Sequence, residues 1–462
     1  MLFNSPEYFL LLGSAVFFYW ILSSTNIRML VLFVSSAIFY ISWSLEYYVL
    51  LLGVLFYVWL VSILFLEKKD KRWLVVTILV LIGILVYFKY ANFFLENINA
   101  LLDPNVGFSA LHIILPLGIS FYVFQILAYC IDVYTGKICA ERNPLVFFTF
   151  ITFFPQLIAG PICRGSELLP QLLKKQFFSV QHIFEGGILL LCGLSLKVAV
   201  ADRVAPFVNV VFDDPGQFSG MDNGLAIVGF GVQILCDFWG YSLIAVGSGR
   251  LFALSLPFNF NLPYSARTIA DFWRRWHITL SSWLRDYLYI PLGGNRGSEF
   301  KTARNLFVTM LLGGLWHGAS WNFVIWGGIH GAALIVQRYY RQLPLAKGFE
   351  KIFNNSKLSW SATMLIVFLS WVFFRANGFG VAIEMLSRVL LVSSDWFKSK
   401  LPIAFFEILV IFLPLHYLIH KLTYGENLIL FGFRYAPVFV PIIALFTLVY
   451  YTHGSDFIYF QF

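Results

Sequence analysis

The residue best placed to do chemistry is a histidine, His317, in the run GGLWHGASW. The surrounding segment starts at Arg304 and ends at Arg338. Basic residues mark the cytoplasmic side of a membrane, so a segment flanked by them at both ends is predicted to enter the membrane and return, with His317 at its midpoint. An ionisable residue at that depth is a candidate for function, and a neutral imidazole can act as a general base. The alternative is a structural histidine hydrogen-bonded between helices.

A second group of polar side chains falls in residues 264–292, where tryptophans recur at helical spacing. The spacing predicts one amphipathic helix in the membrane interface, most of whose residues anchor it among the headgroups. His277 is the exception, because it is a candidate second polar group in a cavity that the glycines around His317 predict within the membrane. Arg274 and Arg275 are predicted to attract the phosphates of an anionic acyl donor. The residues at helical spacing are Trp273, Trp276, Leu280 and Trp283.

Further polar residues are candidates for substrate contacts. Gln233, Asp237 and Tyr241 recur every four residues and therefore share one face of a predicted span. An intramembrane carboxylate needs a partner, and these residues form either a structural hydrogen-bond network or a wall of the reaction cavity. Asn322, close behind His317, is another candidate.

Two histidines, His416 and His420, have the i, i+4 spacing of a metal pair. No glutamate motif or further ligand cluster accompanies them in the sequence. We therefore expect no metal site and no permanently bound cofactor.

The composition indicates the environment in which these residues work. The chain has 462 residues, of which 59% are hydrophobic and only 12% charged, unlike a soluble domain. We predict an all-α polytopic membrane protein with one membrane-embedded domain over residues 1–462. The net charge of +8 does not indicate nucleic-acid binding, because the basic residues lie in short clusters between apolar runs.

Apolar segments predict about ten membrane crossings, the first of them a retained span. Charge clusters put residues 67–72 and 250–304 inside the cell, and both chain termini and residues 213–222 outside. Residues 375–400 conflict with this count, because it places them outside although basic residues outnumber acidic ones there. The run FFPQLIAGPICRG at 153–165 predicts a broken, re-entrant hairpin. The crossings begin near residues 7, 28, 47, 72, 112, 183, 224, 359, 403 and 436.

Several segments together resemble the membrane-bound O-acyltransferase family. They are DFWRRWHITLSSWLRDYLYIPLGG, LLGGLWHGASWNFVIWGGIHG, LPLGISFYVFQ and FFPQLIAGPICR, all within residues 112–342. The last two resemble the bacterial branch that serves alginate and peptidoglycan O-acetylation. CDFWGYS at 236–242 departs from the family pattern at Cys236 and Trp239, although Asp237 and Tyr241 match it.

The resemblance implies re-entrant and interfacial helices around a central funnel, with His317 as the family's invariant histidine and His277 as its second polar position. It also implies acetyl-CoA as the cytoplasmic acyl donor. A separate extracytoplasmic acetyltransferase is the expected partner that completes delivery to a glycan. The expected location is a bacterial cytoplasmic (inner) membrane, in contact with lipid.

The chain end SDFIYFQF is similar to the aromatic C-terminal motif of small proteins that accompany D-alanyl transferases. Tyr459 is accordingly either a covalent acyl carrier or an interfacial anchor. Two rival functions stay open, namely D-alanyl transfer to teichoic acid and a transporter or flippase. The second is disfavoured because the sequence shows no internal repeat.

Overall fold

The computed structural model describes residues 1, 3–102, 107–158, 160–340, 355–392, 394, 396–424, 440–445 and 447–449. Within these ranges the regular elements are helices and there is no strand, which confirms the all-α prediction. Tyr459 and the rest of the C-terminal motif lie outside the described residues.

The helices form two compact units. The first comprises residues 1–190 and 241–257, and the second comprises residues 191–240 and 258–462. The single domain over residues 1–462 stays a prediction.

The helices that begin before residue 200 are α1 Pro6–Ile21, α2 Thr25–Ile41, α3 Leu45–Val61, α4 Lys71–Leu85, α5 Ala91–Asn99, α6 Ile119–Thr135, α7 Pro144–Thr152, α8 Phe154–Leu157, α9 Gly165–Leu173 and α10 Val180–Leu194. Those that follow are α11 Asp202–Asp213, α12 Gly220–Leu251, α13 Ile269–Arg275, α14 Ile278–Leu284, α15 Glu299–His317, α16 Trp321–Tyr339, α17 Ser356–Arg375, α18 Phe379–Leu390 and α19 Ile403–Tyr424.

Six helical stretches of the described chain are long and apolar enough to cross a membrane. Four shorter apolar helices accompany them. The predicted start near residue 112 is wrong, because the helix begins at Ile119. Gly118 precedes it with φ 72°, and a Cβ there would lie 2.5 Å from the carbonyl oxygen of Leu157, so the chain turns sharply before the helix. The six stretches are Leu45–Leu66, Lys71–Asn99, Val180–Asp213, Gly220–Leu251, Ser356–Arg375 and Ile403–Lys421.

The segment that carries His317 is a helical hairpin made of α15 and α16. The two helices touch at glycines, since a Cβ on Gly314 would lie 2.2 Å from the carbonyl oxygen of Phe323 and one on Gly327 would lie 2.4 Å from that of Met310. The predicted reversal between Arg304 and Arg338 is therefore present. The chain stays helical through His317 and turns only at residues 318–320.

The prediction of one amphipathic helix over residues 264–292 is wrong. The segment divides into α13 and α14, and the chain breaks at Trp276 and His277. His277 has φ 43°, a left-handed conformation that no α-helix continues through. Trp276 and Leu280 are fully buried, so they pack in the protein core and do not anchor the chain among headgroups.

The second unit has two ends that matter for function. At the first, which we call the arginine end because α13 carries Arg274 and Arg275, the chain just before α13 contacts the start of α17: the Trp360 indole N–H donates to the carbonyl oxygen of Tyr264 at 2.9 Å. At the other, which we call the turn end, residues 214–222 contact the connection between α18 and α19, and the Met221 N–H donates to the carbonyl oxygen of Trp396 at 3.0 Å. The 20 residues of α17 run from the arginine end toward the turn end, a length of about 30 Å.

Candidate active site

His277 is held by the break between α13 and α14. Its carbonyl oxygen accepts a hydrogen bond from Ser281 N–H at 2.9 Å, which starts α14, and its side chain is fully buried. The Phe238 ring meets the imidazole edge to face, with ring centroids 4.6 Å apart. This burial lowers the pKa of His277 to about 3, so the ring is neutral near physiological pH.

His317 is the last residue of α15, and only 3% of it is exposed. Three aromatic rings surround its imidazole, those of Trp316, Trp326 and Phe374, with centroid distances of 5.0, 5.1 and 5.1 Å. The Trp326 ring is nearly perpendicular to the imidazole, at 88°. The aromatic walls form an apolar setting around a side chain whose neutral form is a base.

The two histidines selected from the sequence meet at one tryptophan. The Trp316 ring lies 6.0 Å from that of His277 and 5.0 Å from that of His317, measured between centroids. Trp316 is itself 4% exposed. The hairpin of α15 and α16 and the break before α14 therefore build one buried aromatic site, which is the candidate active site.

A third histidine, His330, continues this aromatic series on α16. Its ring centroid lies 4.8 Å from that of Trp326, which also contacts His317. His330 Nε2 lies 3.0 Å from Ser370 Oγ, and that hydroxyl already donates its single proton to the carbonyl oxygen of Val367 at 2.7 Å. Nε2–H must therefore be the donor to Ser370, which leaves the lone pair on His330 Nδ1.

Polar atoms around this site are available to a ligand or to water. His330 Nδ1 is buried and accepts no hydrogen bond from the part of the protein that the structure describes. Three buried indole N–H donors of the same aromatic cluster likewise find no acceptor among the described residues. Such groups are normally satisfied by ordered water or by a bound substrate. The three indoles belong to Trp273, Trp326 and Trp371.

Asp237 takes part in a buried ion triad. Its carboxylate lies 2.6 Å from Lys197 Nζ, which also lies 2.8 Å from the carboxylate of Asp202. The three side chains are between 1% and 6% exposed. Lys197 sits in a π-helical turn, Ser195–Ala201, and the absence of a Cβ on Gly240 lets α12 approach that turn. The partner that an intramembrane carboxylate requires is thus a lysine from the preceding span.

Comparisons with known proteins identify the family. A sequence model of the MBOAT, membrane-bound O-acyltransferase, family matches residues 28–368. A protein of Azotobacter vinelandii named probable alginate O-acetylase is 38% identical over 411 residues, which cover 87% of this chain and 80% of that protein. The peptidoglycan O-acetyltransferase of Helicobacter pylori is 38% identical over 390 residues, 78% of this chain and 73% of the relative. The chain belongs to the membrane-bound O-acyltransferase family.

The family resemblance seen in the motifs is therefore confirmed, and this membrane-bound O-acyltransferase is an enzyme of acyl transfer. Its several apolar helices make it a multi-pass membrane protein. A teichoic acid D-alanyltransferase of Streptococcus thermophilus is also similar, but at 28% identity and over only 48% of this chain and 56% of that protein. The likeness to the O-acetyltransferases is thus stronger and extends further.

The other predicted site residues of this membrane-bound O-acyltransferase lie in several settings. Arg274 is exposed, whereas Arg275 is paired with Asp271 at 2.9 Å within α13. Gln233 is buried on α12 in the second unit. The Asn322 amide donates to the carbonyl oxygen of Ala376 at 3.0 Å, which ties α16 to the end of α17.

Tyr241 belongs to the first unit of the chain. Its ring stacks on that of Phe3, with centroids 5.4 Å apart. His416 and His420, which have the spacing of a metal pair, make different contacts. His416 contacts the Trp239 ring, whereas His420 Nε2 lies 3.0 Å from Asn261 Oδ1.

Sequence reasoning missed Lys197 and Asp202 and gave His330 no role. Lys197 carried a usable signal, because it is the one charge inside the apolar run GILLLCGLSLKVAVA. His330 lies thirteen residues after His317 on the opposite arm of the hairpin. Its contact with the aromatic cluster depends on how closely the glycines let the arms approach, and no periodicity reveals that.

Proposed function

We propose that this protein is an O-acetyltransferase that takes acetyl from cytoplasmic acetyl-CoA and passes it across the membrane for O-acetylation of an extracytoplasmic glycan. Its proposed location is the bacterial cytoplasmic membrane. The names of the alginate and peptidoglycan relatives support this activity. The observation that carries the proposal is the meeting of two buried histidines, His277 and His317, at Trp316 in a member of an acyltransferase family.

In the proposed reaction His317 is the general base. Its neutral imidazole removes the proton of an acceptor hydroxyl while the oxygen attacks the thioester carbonyl carbon. The carbon–sulfur bond of acetyl-CoA then breaks, and the imidazolium returns the proton to the departing thiolate, so an ester and free CoA are formed. A positioned base of this kind contributes on the order of a hundredfold to ten-thousandfold in rate.

His277 is proposed to orient the donor or to assist proton transfer from the other side of Trp316. The arginine end supplies exposed Arg274 for the phosphates of CoA. The acceptor hydroxyl belongs to Tyr459 or to a residue of an extracytoplasmic acetyltransferase partner, because a large glycan does not reach a buried thioester. The partner then transfers the acetyl group to the glycan.

The direct test uses purified protein and acetyl-CoA labelled in the acetyl group. We expect His317→Ala to abolish transfer of label, whereas His112→Ala, at an exposed histidine, leaves it unchanged. Thermal unfolding of both variants checks that the fold is kept. Unchanged turnover in His317→Ala would refute its role as the base.

Tyr459 is tested separately by Tyr459→Phe, which removes only the hydroxyl. If Tyr459 carries the acetyl group, this variant folds normally but delivers no acetyl to the polymer. Normal polymer acetylation would instead assign the residue an anchoring role. Labelled D-alanine on a carrier protein, and uptake into liposomes without an acyl donor, test the two rival functions in the same preparation.

A further inference from the structure

The indole ring of Trp326 contacts the imidazole of His317 and carries a hydrogen-bond donor that the protein does not use. The two ring centroids are 5.1 Å apart, and the ring planes meet at 88°. Trp326 is only 1% exposed, and its indole N–H is buried without an acceptor among the described residues. A buried donor without an acceptor is unfavourable and uncommon. The N–H is therefore suited to an oxygen atom that a ligand brings into the site.

The hairpin of α15 and α16 places Trp326 beside the end of α15. The two arms approach closely at Gly314, where a Cβ would lie 2.2 Å from the carbonyl oxygen of Phe323. Gly314 is within one helical turn of His317, and Phe323 is within one turn of Trp326. The close approach of the arms thus brings the imidazole and the indole together.

Packing on several sides holds the Trp326 indole in one orientation. The Trp371 ring stacks on it at a centroid distance of 5.7 Å and an angle of 21°, and the Phe374 ring meets it at 5.2 Å. The ring centroids of Trp273 and His330 lie 5.7 and 4.8 Å away. A donor fixed in this way does not have to reorganise when charge develops near it. In an apolar site its hydrogen bond is also stronger than in water.

The proposed reaction creates a negative charge on one oxygen atom close to His317. When the acceptor hydroxyl oxygen attacks the thioester carbon, the electron pair of the C=O π bond moves onto the carbonyl oxygen, and the hydroxyl proton passes to His317. The tetrahedral intermediate then returns that electron pair, the carbon–sulfur bond breaks, and the thiolate takes the proton from His317. An oxyanion of this kind is stabilised by a preorganised hydrogen-bond donor.

We propose that Trp326 is a further catalytic residue, whose indole N–H donates a hydrogen bond to the thioester carbonyl oxygen and to the oxyanion that forms from it. The proton stays on the indole nitrogen throughout. The inference rests on the proposed function, because it assigns the oxyanion donor for the reaction in which His317 is the base. The competing account is a structural water shared by the Trp326 N–H and His330 Nδ1, which is also buried without a donor among the described residues.

The first test removes the indole N–H and measures acetyl transfer by the purified full chain. We expect Trp326→Phe to lower kcat about a hundredfold to a thousandfold and to change KM for acetyl-CoA little, because the lost hydrogen bond is strongest in the transition state. The same result is expected with benzothienylalanine at position 326, which keeps the shape of the indole but has sulfur in place of N–H. An unchanged kcat with benzothienylalanine would overturn the proposal in favour of the structural water.

The matched control makes the same two replacements at Trp239. Its indole is also buried with an N–H that has no acceptor among the described residues, but its ring contacts that of His416 on α19. We expect the Trp239 variants to keep a normal kcat. Thermal unfolding compares the stability of the two sets of variants. A loss of kcat as large at Trp239 as at Trp326 would overturn the assignment, since it would follow from disturbed packing alone.

The second test observes the hydrogen bond without turnover. Acetyl-CoA isotopically labelled at the thioester carbonyl carbon is added to the His317→Ala protein, and the infrared band of the labelled C=O is recorded. A hydrogen bond to the oxygen lowers the C=O stretching frequency, so we expect the band to move to higher frequency when benzothienylalanine also replaces Trp326. A band at the same frequency in both proteins would overturn the role of Trp326 and leave the proposed function standing. Failure of acetyl-CoA to bind either protein would overturn the proposed function, and the inference with it.

Discussion

The ion triad of Lys197, Asp202 and Asp237 predicts that substituting the lysine lowers the free energy of unfolding much more than substituting either aspartate. The side chains are at least 94% buried, and one positive charge faces two negative ones, at 2.8 and 2.6 Å. Lys197→Met leaves two carboxylates without their shared cation. Removing one partner of a buried ion pair costs about 3 to 5 kcal/mol, so we expect this variant to lose that much free energy of unfolding.

Either aspartate variant should cost far less. Asp202→Asn and Asp237→Asn each leave one lysine with one carboxylate, a formally neutral pair, and each amide still accepts a hydrogen bond. We expect a loss of about 0.5 to 1.5 kcal/mol, the contribution of an ordinary hydrogen bond. The triple variant Lys197→Met/Asp202→Asn/Asp237→Asn carries no charge and should be more stable than Lys197→Met alone.

The assay is unfolding of the purified protein in mixed micelles with increasing dodecyl sulfate, followed by the fluorescence of its tryptophans. Lys68→Gln, an exposed lysine change, gives the baseline for a lost surface charge. Equal losses for the lysine and aspartate variants would refute the argument from charge balance. A triple variant no more stable than Lys197→Met would refute it as well.

Three other predictions concern the aromatic site and its supports. Since His277 has a folded-state pKa of about 3 and an ordinary value near 6.5, the unfolded chain binds the extra proton below pH 6.5. The free energy of unfolding therefore falls with falling pH, and His277 accounts for about 2 kcal/mol of this loss at pH 5. Unfolding curves of His277→Asn, measured over the same pH range, should show a loss that is smaller by this amount. Gly327→Ala should lower the free energy of unfolding by about 1 to 3 kcal/mol and also lower acetyl transfer, because the added Cβ would lie 2.4 Å from the Met310 carbonyl oxygen. The control Gly328→Ala should change neither measurement appreciably, because the atom nearest to its Cβ would be 3.6 Å away. Ser370→Ala leaves His330 Nε2–H buried without its acceptor and should lower the free energy of unfolding by about 1 to 3 kcal/mol. The control Ser282→Ala should cost little, because the Ser282 hydroxyl donates only within its own short helix. Equal costs for the two variants would contradict the tautomer assigned to His330.

Much of the fold follows from the apolar runs, because spans are long and their ends are marked by charge. Eight of the predicted starts fall within about four residues of a helix start, and the one near residue 436 lies outside the described residues. The tenth, near residue 112, fails because Pro116 and Gly118 interrupt an apolar run that hydropathy alone reads as continuous. Apolar character specifies burial, but the backbone conformation at Gly118 depends on how closely Leu157 approaches.

The candidate site was predictable in its residues but not in its geometry. His277 and His317 stand out as polar groups in apolar surroundings, and the structure brings both to Trp316. The helix break at His277 was missed because the tryptophan periodicity continues across it unchanged. His330 was missed as a neighbour because its contact with Trp326 depends on the approach of two helix arms at Gly314 and Gly327.

The candidate site and the ion triad represent two ways of keeping titratable groups in an apolar protein, and the difference supports the catalytic role proposed for His317. Lys197 and its two carboxylates hold one another at hydrogen-bonding distance, so a change at any one of them alters the charge balance of the whole triad. A neutral imidazole needs no counter-ion. The neighbours of His317 are aromatic rings, and in the proposed reaction such rings would help to stabilise a brief imidazolium because their π-systems attract cations. The proposed base would be charged only during the reaction and needs no permanent counter-ion, whereas the members of the triad are one another's counter-ions.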